Sequence, residues 1–87
     1  METRKAFDAI HAKLTADPAK TVLESFFDEQ AFGNFWLRYT RDDELFSVVN
    51  DRGQLVLNRG RADGHITVLL VTDLYTADEG TVLNAIP

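Results

Sequence analysis

The sequence predicts an α+β fold, with two N-terminal helices followed by an antiparallel β-meander of four or five strands. Three observations carry this reading. Apolar residues recur at helical spacing as far as Gly33, the periodicity changes to alternating after it, and the alternating segments are joined by short links rich in turn-forming residues. Helices grouped ahead of a run of strands make an α+β domain rather than a βαβ repeat.

The first helix is predicted over residues 3–15. Phe7, Ile10 and Leu14 fall on one side with Ala6 beside them, and Arg4, Lys5, Asp8 and Lys13 lie elsewhere. The pattern stops at Ala16-Asp17-Pro18, where Asp17 suits an N-cap and Pro18 suits the first position of a second helix. That helix would turn Val22, Leu23, Phe26 and Phe27 inward and Lys20, Glu24, Asp28 and Glu29 outward. Gly33 would close it as a left-handed cap.

Strands are predicted over residues 34–40, 45–49, 54–58 and 65–73. The links at 41–44, 50–53 and 59–64 are too short for a parallel crossover, so consecutive strands must be antiparallel neighbours. The tail from residue 74 to 87 admits two readings. Thr76-Ala77-Asp78-Glu79 fits a capping box ahead of a short helix bearing Val82, Leu83 and Ile86. Ala77-Asp78-Glu79-Gly80, however, has the same shape as Asn50-Asp51-Arg52-Gly53, a polar turn followed by glycine. Glycine in a helix's first turn costs roughly 1 kcal/mol, so the expectation favours a fifth strand over 81–85.

Strand register decides which residues share a face. A three-residue loop with a glycine bulge at 50–53 would set Val49 opposite Leu55, and the first hairpin would set Tyr39 opposite Leu45. Phe35, Leu37, Tyr39, Leu45, Val49, Leu55 and Leu57 then share one face. Trp36, Phe46, Val48 and Val56 share the other, with Leu69 or Val71. A one-residue slip exchanges partners, but each face still collects large apolar residues. An antiparallel sheet packed on one side normally turns a polar face to water. Leaving roughly 400 Å² of apolar surface wet forgoes on the order of 10 kcal/mol at about 25 cal/mol per Å². Three arrangements would resolve this: helices split across both faces, a sheet curled around one core, or a second protein surface.

The 87 residues suffice for one domain, residues 1–87, with one core. There is no cysteine to staple the fold, which suits a reducing cytoplasm. The opening METRKAFDAIHAKL spaces charges through its length and reads as neither a signal peptide nor a membrane anchor. Fourteen acidic residues against nine basic give a formal charge of −5, which disfavours nucleic acid and anionic membranes as partners. The charge is unevenly placed: every charged residue from 62 to 87 is acidic (Asp63, Asp73, Asp78, Glu79), whereas five arginines fall between Arg38 and Arg61.

No motif points to catalysis. His11 and His65 lack metal-ligand spacing, Ser25 and Ser47 lack a nucleophile-elbow context, and the glycines form no phosphate-binding loop. Asp42-Asp43-Glu44 clusters carboxylates without the spacing of a calcium loop and reads as a solvated turn. Phe35, Trp36 and Tyr39 on a strand can stack nucleobases, but the basic groove such binding requires is missing. The expectation is therefore a non-enzymatic protein that needs no cofactor or metal. It would be a small acidic protein-binding module, of the kind used as inhibitors or immunity proteins, occluding a basic partner. The expected contact residues are Trp36, Arg38 and Phe46, with Asp42, Asp43 and Glu44 as an acidic rim, because tryptophan and arginine dominate binding hot spots. The alternatives are a homodimer whose sheet faces bury each other, or a small-ligand site between helices and sheet.

Overall fold

The computed structural model describes residues 1–60 and 64–87. The element order is α1 (Thr3–Ala16), β1 (Lys20–Asp28), β2 (Asn34–Arg41), β3 (Glu44–Asp51), β4 (Gln54–Gly60), β5 (Ile66–Asp73) and α2 (Glu79–Ala85). The five strands form one antiparallel sheet in chain order. Four of them match the predicted strands closely. Of the predicted link between the last two, Arg61, Ala62 and Asp63 lie outside the described residues.

Helix α1 buries Ala6, Ile10 and Leu14 at i, i+4, i+8. Its N-cap is Glu2, whose carboxylate accepts from the backbone N–H of Arg4 at 2.8 Å and Lys5 at 3.0 Å. Those two bonds, Arg4's the larger effect, hold the Glu2 acid below its ordinary 4.5. At the other end the Ala19 N–H donates to the Asp17 carboxylate at 2.9 Å and lowers that acid in the same direction, against desolvation and with help from Lys20. A lowered acid stabilises the fold above its unfolded value and loses that contribution as pH falls through the folded value. Glu2→Gln keeps an acceptor but removes the titration, so it is expected to flatten part of the acid limb of stability, read by urea unfolding from about pH 6 to about pH 2. An unchanged slope would show that the cap is not one of its sources.

Only one helix precedes the strands, which overturns the predicted pair. The segment after Pro18 is the edge strand β1, entered through an Asx turn in which Lys20 N–H also donates to the Asp17 carbonyl at 3.1 Å. The apolar doublets that mimic helical spacing have another cause. β1 slips register between Val22 and Glu24, so Leu23 is an extra, bulged residue. Val22 then faces inward opposite Tyr39 and Phe27 inward opposite Phe35, while Phe26 faces outward opposite Trp36. Gly33 does take a positive φ of 67°, but in the β1–β2 loop rather than at a helix end.

The tail is the second correction, because residues 79–85 form α2 and not a strand. Asp78 is its N-cap and accepts from Thr81 N–H at 3.2 Å. Val82 and Ile86 join the core beneath the sheet together with Leu74. The Lys13 ammonium donates to the Leu83 carbonyl and ties the two helices together. Burial of Val82 and Ile86 outweighs the helix-weakening Gly80, a tertiary term that local propensity does not contain.

Register is the third correction. Both β3 turns are two-residue turns with positive φ at both positions: Asp42 51° and Asp43 63°, then Arg52 52° and Gly53 87°. This is the type I′ geometry that matches strand twist. Tyr39 therefore pairs with Phe46 and not Leu45, and Leu55 pairs with Asn50 and not Val49. One residue of difference turns β3 over. Phe46 and Val48 enter the core beside Phe35, Leu37, Tyr39, Leu55 and Leu57, and Leu45 and Val49 pass to the outer face.

Candidate functional site

Every buried helical residue, Ala6, Ile10 and Leu14 of α1 and Val82 of α2, belongs to one core with the inner face of the sheet. The outer face carries no layer of its own among the described residues. Neither split helices nor a closed barrel resolves the two-faced pattern; the second face stays open.

Successive strand pairings align one residue from each strand into a row across that face: Phe26, Trp36, Val49, Val56 and Val71. All five are apolar. Phe26 and Val71 at the ends are exposed, and the three central residues are partly covered by their neighbours. Phe26 stacks on Trp36 with ring centroids 4.5 Å apart and planes 26° apart. The adjoining row is polar: Glu24, Arg38, Ser47 and Asn58, ending on Val68. In it Asn58 donates to the Ser47 hydroxyl at 3.4 Å.

Glu24 links the two rows. One carboxylate oxygen accepts from the Trp36 indole N–H at 2.7 Å, and the other lies 3.6 Å from the Arg38 guanidinium. Both ion-pair side chains are about half exposed, so the pair fixes geometry more than it stabilises. The indole is thereby pinned in one orientation, with its ring held between Phe26 and solvent. Beside it the sheet forms a shallow groove of about 580 Å³, bordered by Trp36, Arg38, Leu45, Val49, Asn58 and Ile66.

Of the predicted contact residues, Trp36 and Arg38 stand together on this face. Phe46 does not join them. Its side chain is 3% exposed and stacks on Tyr39 at 5.1 Å on the inner side, a consequence of the two-residue turn. Asp42 and Asp43 occupy the exposed β2–β3 turn, and exposed Glu44 pairs with Arg41. They lie roughly 20 Å from Trp36 along the strand at about 3.3 Å per residue. The carboxylates thus sit at the far end of the ribbon. Glu24 and Phe26, which complete the arrangement around Trp36, fall in the segment whose spacing predicts a second helix. The β-branched and aromatic content of Thr21, Val22, Phe26 and Phe27 was the signal that could have placed them on a strand.

The titratable groups add no reactive arrangement. Tyr39 is pushed up to about 12 by burial, partly opposed by Arg41, and its hydroxyl donates to the Pro87 carbonyl at 3.2 Å. It remains a neutral phenol at ordinary pH. No three histidine, aspartate or glutamate side chains among the described residues group as a metal site, and no helix among them is long and apolar enough to cross a membrane. No protein-family model, curated protein or solved structure matches the chain.

Proposed function

We propose that the protein is a non-enzymatic binding module that occludes a basic protein partner with the outer face of its sheet, in the manner of an inhibitor or immunity protein. The observation that carries this is the five-residue apolar row, which crosses the whole sheet on the side away from both helices. Trp36, held by Glu24 and Phe26, is the anchor, with its orientation fixed before binding. Arg38 is already paired within the face, so the chain's formal charge of −5 is felt at the periphery, where Asp42, Asp43 and Glu44 steer a basic surface. A cysteine-free chain suits the reducing cytoplasm, where we place it.

The test immobilises the wild-type chain and a Trp36→Ala variant, then titrates the protein retained by the first against both. Affinity is expected to weaken by more than ~2 kcal/mol, about thirtyfold, while Lys5→Ala on α1 binds as the wild type does. Equal affinity for Trp36→Ala would remove the face from the interaction. A retained protein that binds more tightly as salt rises would remove the electrostatic part.

A further inference from the structure

The two edges of the sheet are built differently. Edge strand β1 carries Lys20, Glu24 and Asp28, is bulged at Leu23 and has α1 packed against it. Charges along an edge strand are one way proteins prevent it from pairing with another chain. Edge strand β5 has no charge and no proline from Ile66 to Thr72, and Ile66, Val68, Leu69 and Val71 are 71, 57, 39 and 53% exposed. One side of its backbone is bonded to β4; the other has no strand beside it among the described residues.

We propose that β5 pairs with β5 of a second copy of this chain, antiparallel about a two-fold axis, joining two five-stranded sheets into one of ten strands. Register supplies the first argument. β5 has its own extra residue, Leu69, since Leu70 pairs with Leu57 while Val68 pairs with Asn58. With the axis between Leu69 and Leu70, Val71 lies opposite the partner's Val68 and Thr72 opposite the partner's Thr67. Val68 and Val71 are outer-face residues, and Thr67 and Thr72 are inner-face residues. The mid-strand bulge therefore lets outer meet outer and inner meet inner, with valine and threonine pairs that favour strand association.

Charge supplies the second. Two chains of −5 repel least where they meet on an uncharged surface, and β5 offers seven successive uncharged residues. Its one carboxylate, Asp73, sits at the end of the strand. Antiparallel pairing would hold the two Asp73 side chains roughly 23 Å apart, beyond the ~10 Å screening length at 0.1 M salt. Parallel pairing would set them side by side. In the antiparallel dimer the two apolar faces are continuous across the seam, so the dimer carries two Trp36 anchors on one twisted, ten-stranded face.

The test is light scattering behind size exclusion on the full chain at micromolar concentration. The wild type is expected at close to twice 9.8 kDa. The double variants Val68→Lys/Val71→Lys and Val68→Asp/Val71→Asp each place like charges opposite one another and are expected at the single-chain mass. Mixed in equal amounts, they are expected to return to the doubled mass. Both positions are exposed, and circular dichroism confirms that each variant is folded. A single-chain mass for the wild type overturns the proposal, as does a doubled mass in both variants separately. Loss of the dimer in Trp36→Ala overturns it as well, because that result assigns association to the faces.

Discussion

Phe35→Ala is expected to cost about 3–5 kcal/mol, and Trp36→Ala about 1 kcal/mol, although the two residues are adjacent in one strand. Phe35 is fully buried, with its ring centroid 5.5 Å from Phe7 and 6.3 Å from Phe27, so its removal opens a cavity where α1 meets β1 and β2. Trp36 points the other way, and its losses are a stacking contact with Phe26 and one hydrogen bond to a half-exposed carboxylate. A small domain has roughly 5–10 kcal/mol in total, so the first variant should lose about half of its stability and melt far below the second. Thermal and urea unfolding of both variants checks the assignment of faces directly. Equal losses would mean that the outer face is covered in the isolated chain.

Asn50→Ala is expected to cost about 2–4 kcal/mol despite removing few atoms. Asn50 is 1% exposed and is the one buried polar residue among those described. Its amide nitrogen donates to the Gly33 carbonyl at 3.1 Å and its oxygen accepts from the Gly53 N–H at 3.1 Å. One side chain therefore joins the β1–β2 loop to the β3–β4 turn. Alanine leaves both backbone groups without their partner, and the Gly53 amide is buried. Asn50→Asp keeps the acceptor and loses the donor at neutral pH. It should recover stability as pH falls, when the protonated acid can again donate to Gly33. Urea unfolding of both variants from about pH 7 to about pH 4 provides the readout, and a loss below about 1 kcal/mol for the alanine variant would mean that solvent reaches these groups.

Much of the architecture was legible in the chain because it is written in local turn chemistry. The first helix, the strands after Gly33 and their antiparallel order all follow from spacing and link length. What misled was non-local. Residues 20–28 look helical because a bulge at Leu23 breaks the alternation and because a sheet that is apolar on both faces puts large residues in adjacent pairs. Residues 79–85 look too glycine-marked for a helix until the pocket that receives Val82 and Ile86 exists. At the site, Trp36 and Arg38 were legible as outward neighbours on one strand. Phe46 was misplaced by a single residue of register, which turns on whether Asp42 and Asp43 both accept a positive φ. Aspartate tolerates that conformation better than most residues but not as freely as glycine, so its sequence signal is weak.

The two type I′ turns that flank β3 have a consequence for what the chain can become. A substitution alters one side chain, but a residue inserted into or deleted from either turn inverts the side chains of the strand beyond it, exchanging core for surface, unless a bulge like those at Leu23 and Leu69 absorbs it. Between Asn34 and Gly60 the number of residues is therefore constrained by geometry, and only on the outer face are their identities comparatively free. Variation by lengthening, the usual way loops diversify, is therefore restricted in this part of the molecule. Change in what the outer face recognises has to come chiefly through its side chains.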